Sequence, residues 1–240
     1  MKNYKWILFD ADETLFHFDD YSGLELMFTH YGAKFSVQDY KEYQTTNKPL
    51  WVDYQNGDIT AQQLQLKRFD MWTDKLQAAA FDLNSTFLTV MAGVSPPLEG
   101  AISLLNFLKG KVKLGIITNG FTQLQQARLE YTGLADHFDL LVVSEEVGVA
   151  KQHKIIFEHA CSAMGSNQIR EHVLMVGDNP DSDILGGLNA GFDTCWLNSN
   201  NRPAPEGIKP HYQVSSLMEL ENLLLQSFTH FNNEVAENNQ

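Results

Sequence analysis

The feature that most constrains the fold of this chain is the alternation of short apolar runs with helical segments after residue 98. The apolar runs are continuous, which is typical of strands in a parallel sheet that is covered on both faces. The pattern therefore predicts an α/β fold with a doubly wound parallel sheet. Strands are predicted at residues 5–9, 112–118, 140–143, 173–176 and 194–197, and helices at 99–108, 122–131, 154–164, 184–189 and 216–225.

The stretch between the first two predicted strands has a different pattern. Apolar residues recur there at helical spacing, as at Leu24 and Phe28, and no β-rich run occurs. We interpret this stretch as an all-helical insert, which Ser95-Pro96-Pro97 closes because paired prolines interrupt helices. The predicted domains are a core of residues 1–16 and 95–230, a helical insert of residues 17–94, and a polar, disordered tail of residues 231–240.

Composition narrows the class of partner. The formal net charge of −13 argues against duplex DNA and anionic membranes, which basic surfaces bind. The apolar run at the N-terminus is too short for a signal peptide, and no stretch is long enough to cross a bilayer. Cys161 and Cys195 lack the spacing of a metal site and are interpreted as reduced thiols. We expect a cytoplasmic protein with no nucleic-acid or membrane partner, either a monomer or a small homo-oligomer.

The chemically distinctive side chains all follow predicted strands. In an open parallel sheet the active site lies at the carboxyl ends of the strands, so these side chains are expected to meet at one rim. In chain order they are Asp10 and Asp12, then Thr118, Asn119 and Gly120, then Lys151, and finally Asp178 and Asp183.

This set of residue types suits phosphoryl transfer. Asp10 can attack phosphorus and form an aspartyl-phosphate, which divides one difficult step into two easier ones. Mg²⁺ would offset the repulsion between two anions, and Asp10 and Asp178 match the one or two carboxylates that this ion usually takes. Lys151 would add a positive charge near the phosphate. Asp12 can protonate the leaving oxygen and later activate water.

The remaining candidates would hold the phosphate or support the site. The Thr118 hydroxyl and the Asn119 amide can donate hydrogen bonds to phosphate oxygens. Gly120 would let the backbone pass close to the anion. Asp183 is compatible with both a supporting role and capping of the next helix.

These motifs resemble those of the haloacid dehalogenase (HAD) superfamily, in the family's order and along the whole chain. Asp10-Ala11-Asp12-Glu13-Thr14 resembles its DxDx[TV] motif, and Gly177-Asp178 through Asp183 its GDxxxxD motif. Gln152 stands where members commonly have proline after the motif lysine. The resemblance implies a C1-type cap for the insert and Mg²⁺ as cofactor, which Mn²⁺ or Co²⁺ could replace. It assigns the nucleophile and a metal ligand to Asp10, acid–base catalysis and a metal-binding carbonyl to Asp12, a metal ligand to Asp178 and outer support to Asp183.

Two further segments resemble bacterial pyrimidine 5′-nucleotidases of the house-cleaning type. They are residues 47–57, NKPLWVDYQNG, and residues 141–151, LVVSEEVGVAK. The resemblance implies a phosphoric monoester hydrolase that acts on (deoxy)pyrimidine nucleoside monophosphates such as dUMP, UMP or dTMP.

Several alternatives stay open from the sequence. The same fold could act on sugar phosphates or other small phosphomonoesters, cleave phosphonates through Lys48 or Lys67, transfer the phosphoryl group as a mutase, or bind nucleotides without catalysis. A dehalogenase usually lacks the second acid, so Asp12 favours phosphate chemistry. The insert aromatics Trp51, Tyr54, Phe69 and Trp72 are expected to form its core, and Glu145 and Glu146 to be either solvated or a supporting pair behind the site. The base, the sugar and the insert residues that contact substrate are not specified.

Overall fold

The computed structural model describes residues 1–165 and 170–237, with side chains described to residue 228. Six strands form one parallel sheet in the order β3-β2-β1-β4-β5-β6, which confirms the predicted α/β class. The strands are β1 (Trp6–Phe9), β2 (Lys113–Thr118), β3 (Leu140–Val143), β4 (Val173–Gly177), β5 (Asp193–Leu197) and β6 (Tyr212–Val214).

Helices cover both faces of the sheet. The core helices are α6 (Ala101–Leu108), α7 (Thr122–Thr132), α8 (Ser144–Val147), α9 (Lys154–Ala163), α10 (Leu185–Asn189) and α11 (Leu217–Glu237). Ile7 and Phe9 of β1 point to the face packed by Leu104 and Leu220. Leu8 points to the opposite face, where Phe157 packs. Because β1 is buried on both faces, it has the continuous apolar sequence from which it was predicted.

The register of the central strands positions the rim. Phe9 of β1 lies opposite Ile116 of β2 and Val176 of β4. The Asp10 N–H donates to the Val176 carbonyl at 2.9 Å, so the ladder continues to the first acidic residue. The strand order reverses on either side of β1, and this is the position at which doubly wound sheets bind ligands.

Residues 20–93 fold as helices, and this stretch contains no strand. A buried aromatic core that includes Phe28, Tyr43 and Trp72 holds them together. Phe121 and Leu124 at the start of α7 belong to the same cluster, so the insert packs directly on the rim of the sheet. Its helices are α1 (Asp20–His30), α2 (Val37–Asn56), α3 (Ala61–Lys67), α4 (Thr73–Leu76) and α5 (Ala80–Gly93).

Two sequence predictions need correction. Strand β6 was not predicted, because only three residues at the sheet edge form it and they make no apolar run. Helix α11 continues to Glu237, whereas the sequence pattern predicted its end at residue 225. Leu220, Leu224 and Phe228 keep helical spacing past the predicted end of this helix. Residues 238–240 of the predicted tail lie outside the described residues.

None of the helices in the described residues is both long enough and apolar enough to cross a membrane.

Candidate active site

Lys151 is the centre of a buried ionic cluster at the rim. Its ammonium forms ion pairs with Asp10 and, at 2.7 Å, with Asp183. The Lys151 side chain is 3% exposed, so these charges lie away from bulk water. Asp10 follows β1, Asp183 lies in a single π-helical turn after β4 (Pro180–Ile184), and Lys151 lies between α8 and α9. The fold therefore brings together three residues that are far apart in the chain.

The cluster has more negative charge than Lys151 can balance. Burial, reinforced by the charge of Asp183, raises the pKa of Asp10 well above its ordinary value although Lys151 opposes the shift. Burial and the same neighbour raise the pKa of Asp178 to about 6. Burial alone would lower the pKa of Lys151, but its ion pairs with Asp10 and Asp183 raise it. Burial and repulsion from Asp183 thus disfavour the ionised forms of Asp10 and Asp178, and a bound cation would stabilise these forms.

The donor set fits a hard divalent cation. Carboxylate oxygens of Asp10, Asp178 and Asp183 all lie within 4.8 Å of one another. Asp183 is already engaged, because it also accepts from the Asn179 N–H at 3.0 Å. Asp10 and Asp178 are therefore the two carboxylates best able to hold a metal ion, and oxygen ligands of this kind suit Mg²⁺.

The peptide of Asp178 is fixed on both sides. Its N–H donates to the Thr14 hydroxyl at 3.1 Å. Its carbonyl oxygen accepts from Trp196 at 2.9 Å and from Arg202 at 2.8 Å. A Cβ at Gly177 would lie 2.2 Å from the Asp183 carboxylate, so only glycine fits between β4 and the π-helical turn.

Asp12 has a partner that sequence reasoning missed. The Arg128 guanidinium lies 2.7 Å from its carboxylate and is itself fully buried. The guanidinium stacks on Phe16 at 4.8 Å. Helical spacing places Arg128 one turn after Leu124, on the buried side of α7, but this spacing does not identify its partner. The ion pair fixes the Asp12 carboxylate in the lining of the cavity that Asp10 also lines.

The loop after β2 has a constrained shape. The Thr118 hydroxyl accepts from the Gly120 N–H at 3.0 Å. The Asn119 side-chain oxygen accepts from the Lys151 N–H at 2.7 Å. The amide nitrogen of Asn119 donates to no described residue, so it can still meet an anion. A Cβ at Gly120 would lie 2.4 Å from the Gln125 side chain, and this close approach explains the glycine.

A cavity of about 310 Å³ joins the rim to the insert. All eight predicted site residues line it or contact its lining. The insert contributes Tyr43, Asn47, Trp51 and Arg68 to the opposite wall. Phe69 and Trp72 lie in the core of the insert as expected, whereas Trp51 packs on Phe121 of the rim at 5.3 Å between ring centroids. Gln152, which stands where family members commonly have proline, is exposed and makes one weak hydrogen bond to Gln55 at 3.4 Å.

Hydrogen bonds also link the insert to the core. The Tyr54 hydroxyl donates to Ser144 at 2.7 Å in a buried contact. Gln65 donates to one oxygen of Glu145, and the Thr122 N–H donates to the other at 2.8 Å. Glu145 was expected to be either solvated or a supporting residue, and its carboxylate bridges α3 of the insert and the start of α7. Sequence spacing gave no sign of this bridge, because its members come from separate elements.

The chain is similar along nearly its whole length to known hydrolases. It is 58% identical over 219 residues to the pyrimidine 5′-nucleotidase YjjG of Escherichia coli, covering 91% of this chain and 97% of that protein. It is 31% identical to the pyrimidine 5′-nucleotidase PynA of Streptococcus pneumoniae, covering 90% of this chain and 93% of that protein.

The fold is shared with solved structures. The HAD-hydrolase YfnB of Bacillus subtilis, solved bound to magnesium, superposes with a TM-score of 0.78 at 29% identity, covering 93% of this chain and 99% of that one. The sequence model of the haloacid dehalogenase-like hydrolases matches residues 4–191. The chain therefore belongs to the haloacid dehalogenase-like hydrolase family.

Proposed function

We propose that this protein is a Mg²⁺-dependent 5′-nucleotidase that hydrolyses pyrimidine nucleoside monophosphates, with Asp10 as the nucleophile. The observation that carries the proposal is the buried cluster of Lys151 with Asp10 and Asp183, next to Asp178, in a cavity whose other wall is aromatic. The 58% identity to a pyrimidine 5′-nucleotidase supports the substrate class.

In this mechanism, a carboxylate oxygen of Asp10 attacks phosphorus and the bond from phosphorus to O5′ breaks. Asp12 gives its proton to O5′ as the nucleoside leaves. The Asp12 carboxylate then takes a proton from a water molecule, which attacks the phosphorus and releases Asp10 and phosphate. Lys151 holds the Asp10 carboxylate through its ion pair, and Asp183 holds Lys151.

The metal ion would be held by the carboxylates of Asp10 and Asp178 and by the backbone carbonyl of Asp12. When bound, Mg²⁺ supplies positive charge that reduces the repulsion between the carboxylate and the phosphate. Mn²⁺ or Co²⁺ can be tested as replacements. The Thr118 hydroxyl and the Asn119 amide nitrogen would donate to the phosphate oxygens, and Gly120, whose N–H is bonded to Thr118, would let the backbone pass close to the anion.

The substrate in this proposal is a small diffusing phosphomonoester, so neither nucleic acid nor a membrane is needed as a partner. The net charge of −13 disfavours both. A cytoplasmic location and a monomeric or small homo-oligomeric state stay predictions of the sequence.

A phosphate-release screen tests the proposal. Wild-type protein is incubated with pyrimidine and purine nucleoside monophosphates, sugar phosphates and p-nitrophenyl phosphate, each with Mg²⁺ and with EDTA. We expect the highest kcat/KM for a pyrimidine nucleotide, no release in EDTA, and recovery when Mg²⁺ is returned. A preference for sugar phosphates would contradict the substrate class. No turnover of any phosphomonoester would favour a nucleotide-binding protein.

A further inference from the structure

Asn47 has a buried side-chain amide that makes no hydrogen bond within the described part of the chain. The residue is 8% exposed, and its Oδ1 atom is buried without a partner. It lines the cavity that contains Asp10, and on α2 it lies one turn from Tyr43 and one turn from Trp51. An unpaired buried amide destabilises the free protein, so a partner supplied by a ligand is the simplest reason for its presence.

Arg68 is a second polar group on the same wall. It is 3% exposed, and among the described residues no carboxylate lies within 4.0 Å of its guanidinium. Two of its nitrogens, Nε and Nη2, donate to the same oxygen of Asn84. The Tyr43 hydroxyl also interacts with the Arg68 guanidinium. Asp20, an acid of the same wall, already accepts from Tyr40 at 2.8 Å and Gln44 at 2.7 Å. Arg68 therefore retains donor capacity towards the cavity.

Aromatic rings fix the plane of this guanidinium. Phe69, Phe87 and Phe121 each lie 5.0 Å from its central carbon. A guanidinium held in this way presents a planar, rigid set of donors that cannot accept. It suits a carbonyl oxygen at the edge of a flat ring, while the phosphate would face Lys151 at the rim.

We propose that Asn47 and Arg68 recognise the base of the substrate. The Asn47 amide pairs with N3–H and the adjoining carbonyl of a uracil- or thymine-type ring, and Arg68 donates to a base carbonyl. A side-chain amide offers a donor and an acceptor side by side, which matches this edge. The inference rests on the proposed function and adds to it the two residues that determine specificity.

The test removes the same hydrogen bond from the protein and from the substrate. Phosphate release is measured for wild type and Asn47→Leu with dUMP, with N3-methylated dUMP and with p-nitrophenyl phosphate, which has no base. We expect N3-methylation to lower the wild-type kcat/KM about 10- to 100-fold, and Asn47→Leu to lower kcat/KM for dUMP by a similar factor. In Asn47→Leu the N3-methyl penalty should shrink to about threefold or less.

The controls separate base reading from folding and from chemistry. Asn56→Leu makes the same substitution at an exposed position of α2 and should leave all three rates unchanged. Asn47→Leu should lower kcat/KM for dUMP by a larger factor than kcat/KM for p-nitrophenyl phosphate, which has no N3–H. The N3-methyl comparison in wild-type protein needs no variant, so it stands even if Asn47→Leu fails to fold.

Arg68→Lys tests the second residue. It keeps the charge but loses the planar set of donors, and we expect kcat/KM for dUMP to fall about tenfold and that for p-nitrophenyl phosphate to fall by a smaller factor.

Three results would count against these assignments. An N3-methyl penalty that is equal in wild type and Asn47→Leu would overturn the role of Asn47. Wild-type kcat/KM for dUMP in Arg68→Lys would overturn that of Arg68. If wild type cleaves p-nitrophenyl phosphate but no pyrimidine nucleotide, the proposed function fails and this inference fails with it.

Discussion

At the rim of the sheet a buried cation lies against carboxylates, whereas in the helical insert a buried cation lies against aromatic rings. Lys151 is paired with Asp10 and Asp183. Arg68 is surrounded by phenyl rings and hydrogen-bonded to the neutral Asn84. The rim thus has unbalanced negative charge, which suits a metal ion and phosphoryl transfer. On the insert wall, Asn47 and Arg68 have hydrogen-bonding capacity that the described residues do not use, and this suits a neutral ring.

The comparison implies that the rim carries out phosphoryl transfer and that the insert recognises the base, and this separation can be tested. Changes at the rim should affect all phosphomonoesters equally, because every substrate shares the phosphate. Changes in the insert should affect substrates that have a base more than substrates without one.

Asp10→Asn is expected to have the largest effect. An amide cannot attack phosphorus, so release from both dUMP and p-nitrophenyl phosphate should fall by about 10⁴-fold or more. Steady-state phosphate release measures the loss, and the thermal midpoint checks that the protein stays folded. Asp82→Asn, at an exposed position in the first turn of α5, is the matched control. Release near the wild-type rate would remove Asp10 from the mechanism.

Gln65→Leu should have an intermediate effect that is confined to nucleotides. Gln65 accepts from Asn84 at 2.9 Å and donates to Glu145, so it connects the acceptor of Arg68 to the core. Its loss should let Arg68 shift and lower kcat/KM for dUMP about tenfold. Gln62→Leu, at an exposed position of the same helix, should have no effect. An equal loss of kcat/KM with p-nitrophenyl phosphate would show that Gln65 supports phosphoryl transfer and not base binding. The proposed separation of the roles of rim and insert would then be wrong.

Asp178→Asn should abolish metal-dependent activity and yet stabilise the metal-free protein by a small amount. The pKa of Asp178 is raised to about 6 from an ordinary value of 3.8, so its ionised form is disfavoured in the fold. Metal-free wild type therefore loses stability as the pH rises from about 4 to about 6, and Asp178→Asn removes this loss. At pH 7.5 in EDTA we expect a gain of about 1 kcal/mol, or roughly 2–4 °C in Tm.

The control for this prediction is Mg²⁺ itself. Adding Mg²⁺ should raise the Tm of wild type and leave that of Asp178→Asn unchanged, since a ligand that binds only the folded state stabilises it. Equal Tm values for the two proteins in EDTA at pH 7.5 would mean that the rim does not have excess negative charge. The contrast with the insert would then lose its electrostatic basis.

The sequence predicted site residues best where they directly follow a buried strand. Asp10 and Asp178 were located because each directly follows a run of buried apolar residues, and neighbouring parallel strands end at the same rim. Edge strand β6 was missed, since three residues without an apolar run leave no periodic signal. The extent of α11 was underestimated, because the polar composition of the tail was given more weight than its helical spacing.

The sequence by itself determined the parallel sheet, the helical insert and the identity of the groups at the strand ends. Only the tertiary structure decided that Arg128 pairs with Asp12, that Glu145 bridges the insert and the core, and that Asn47 and Arg68 share a wall. The reason is physical: hydrophobic periodicity is a property of neighbouring residues, and it is set by which face of an element is buried. Contacts between α2, the end of α3 and α7 depend instead on how whole helices pack, and no local pattern encodes that.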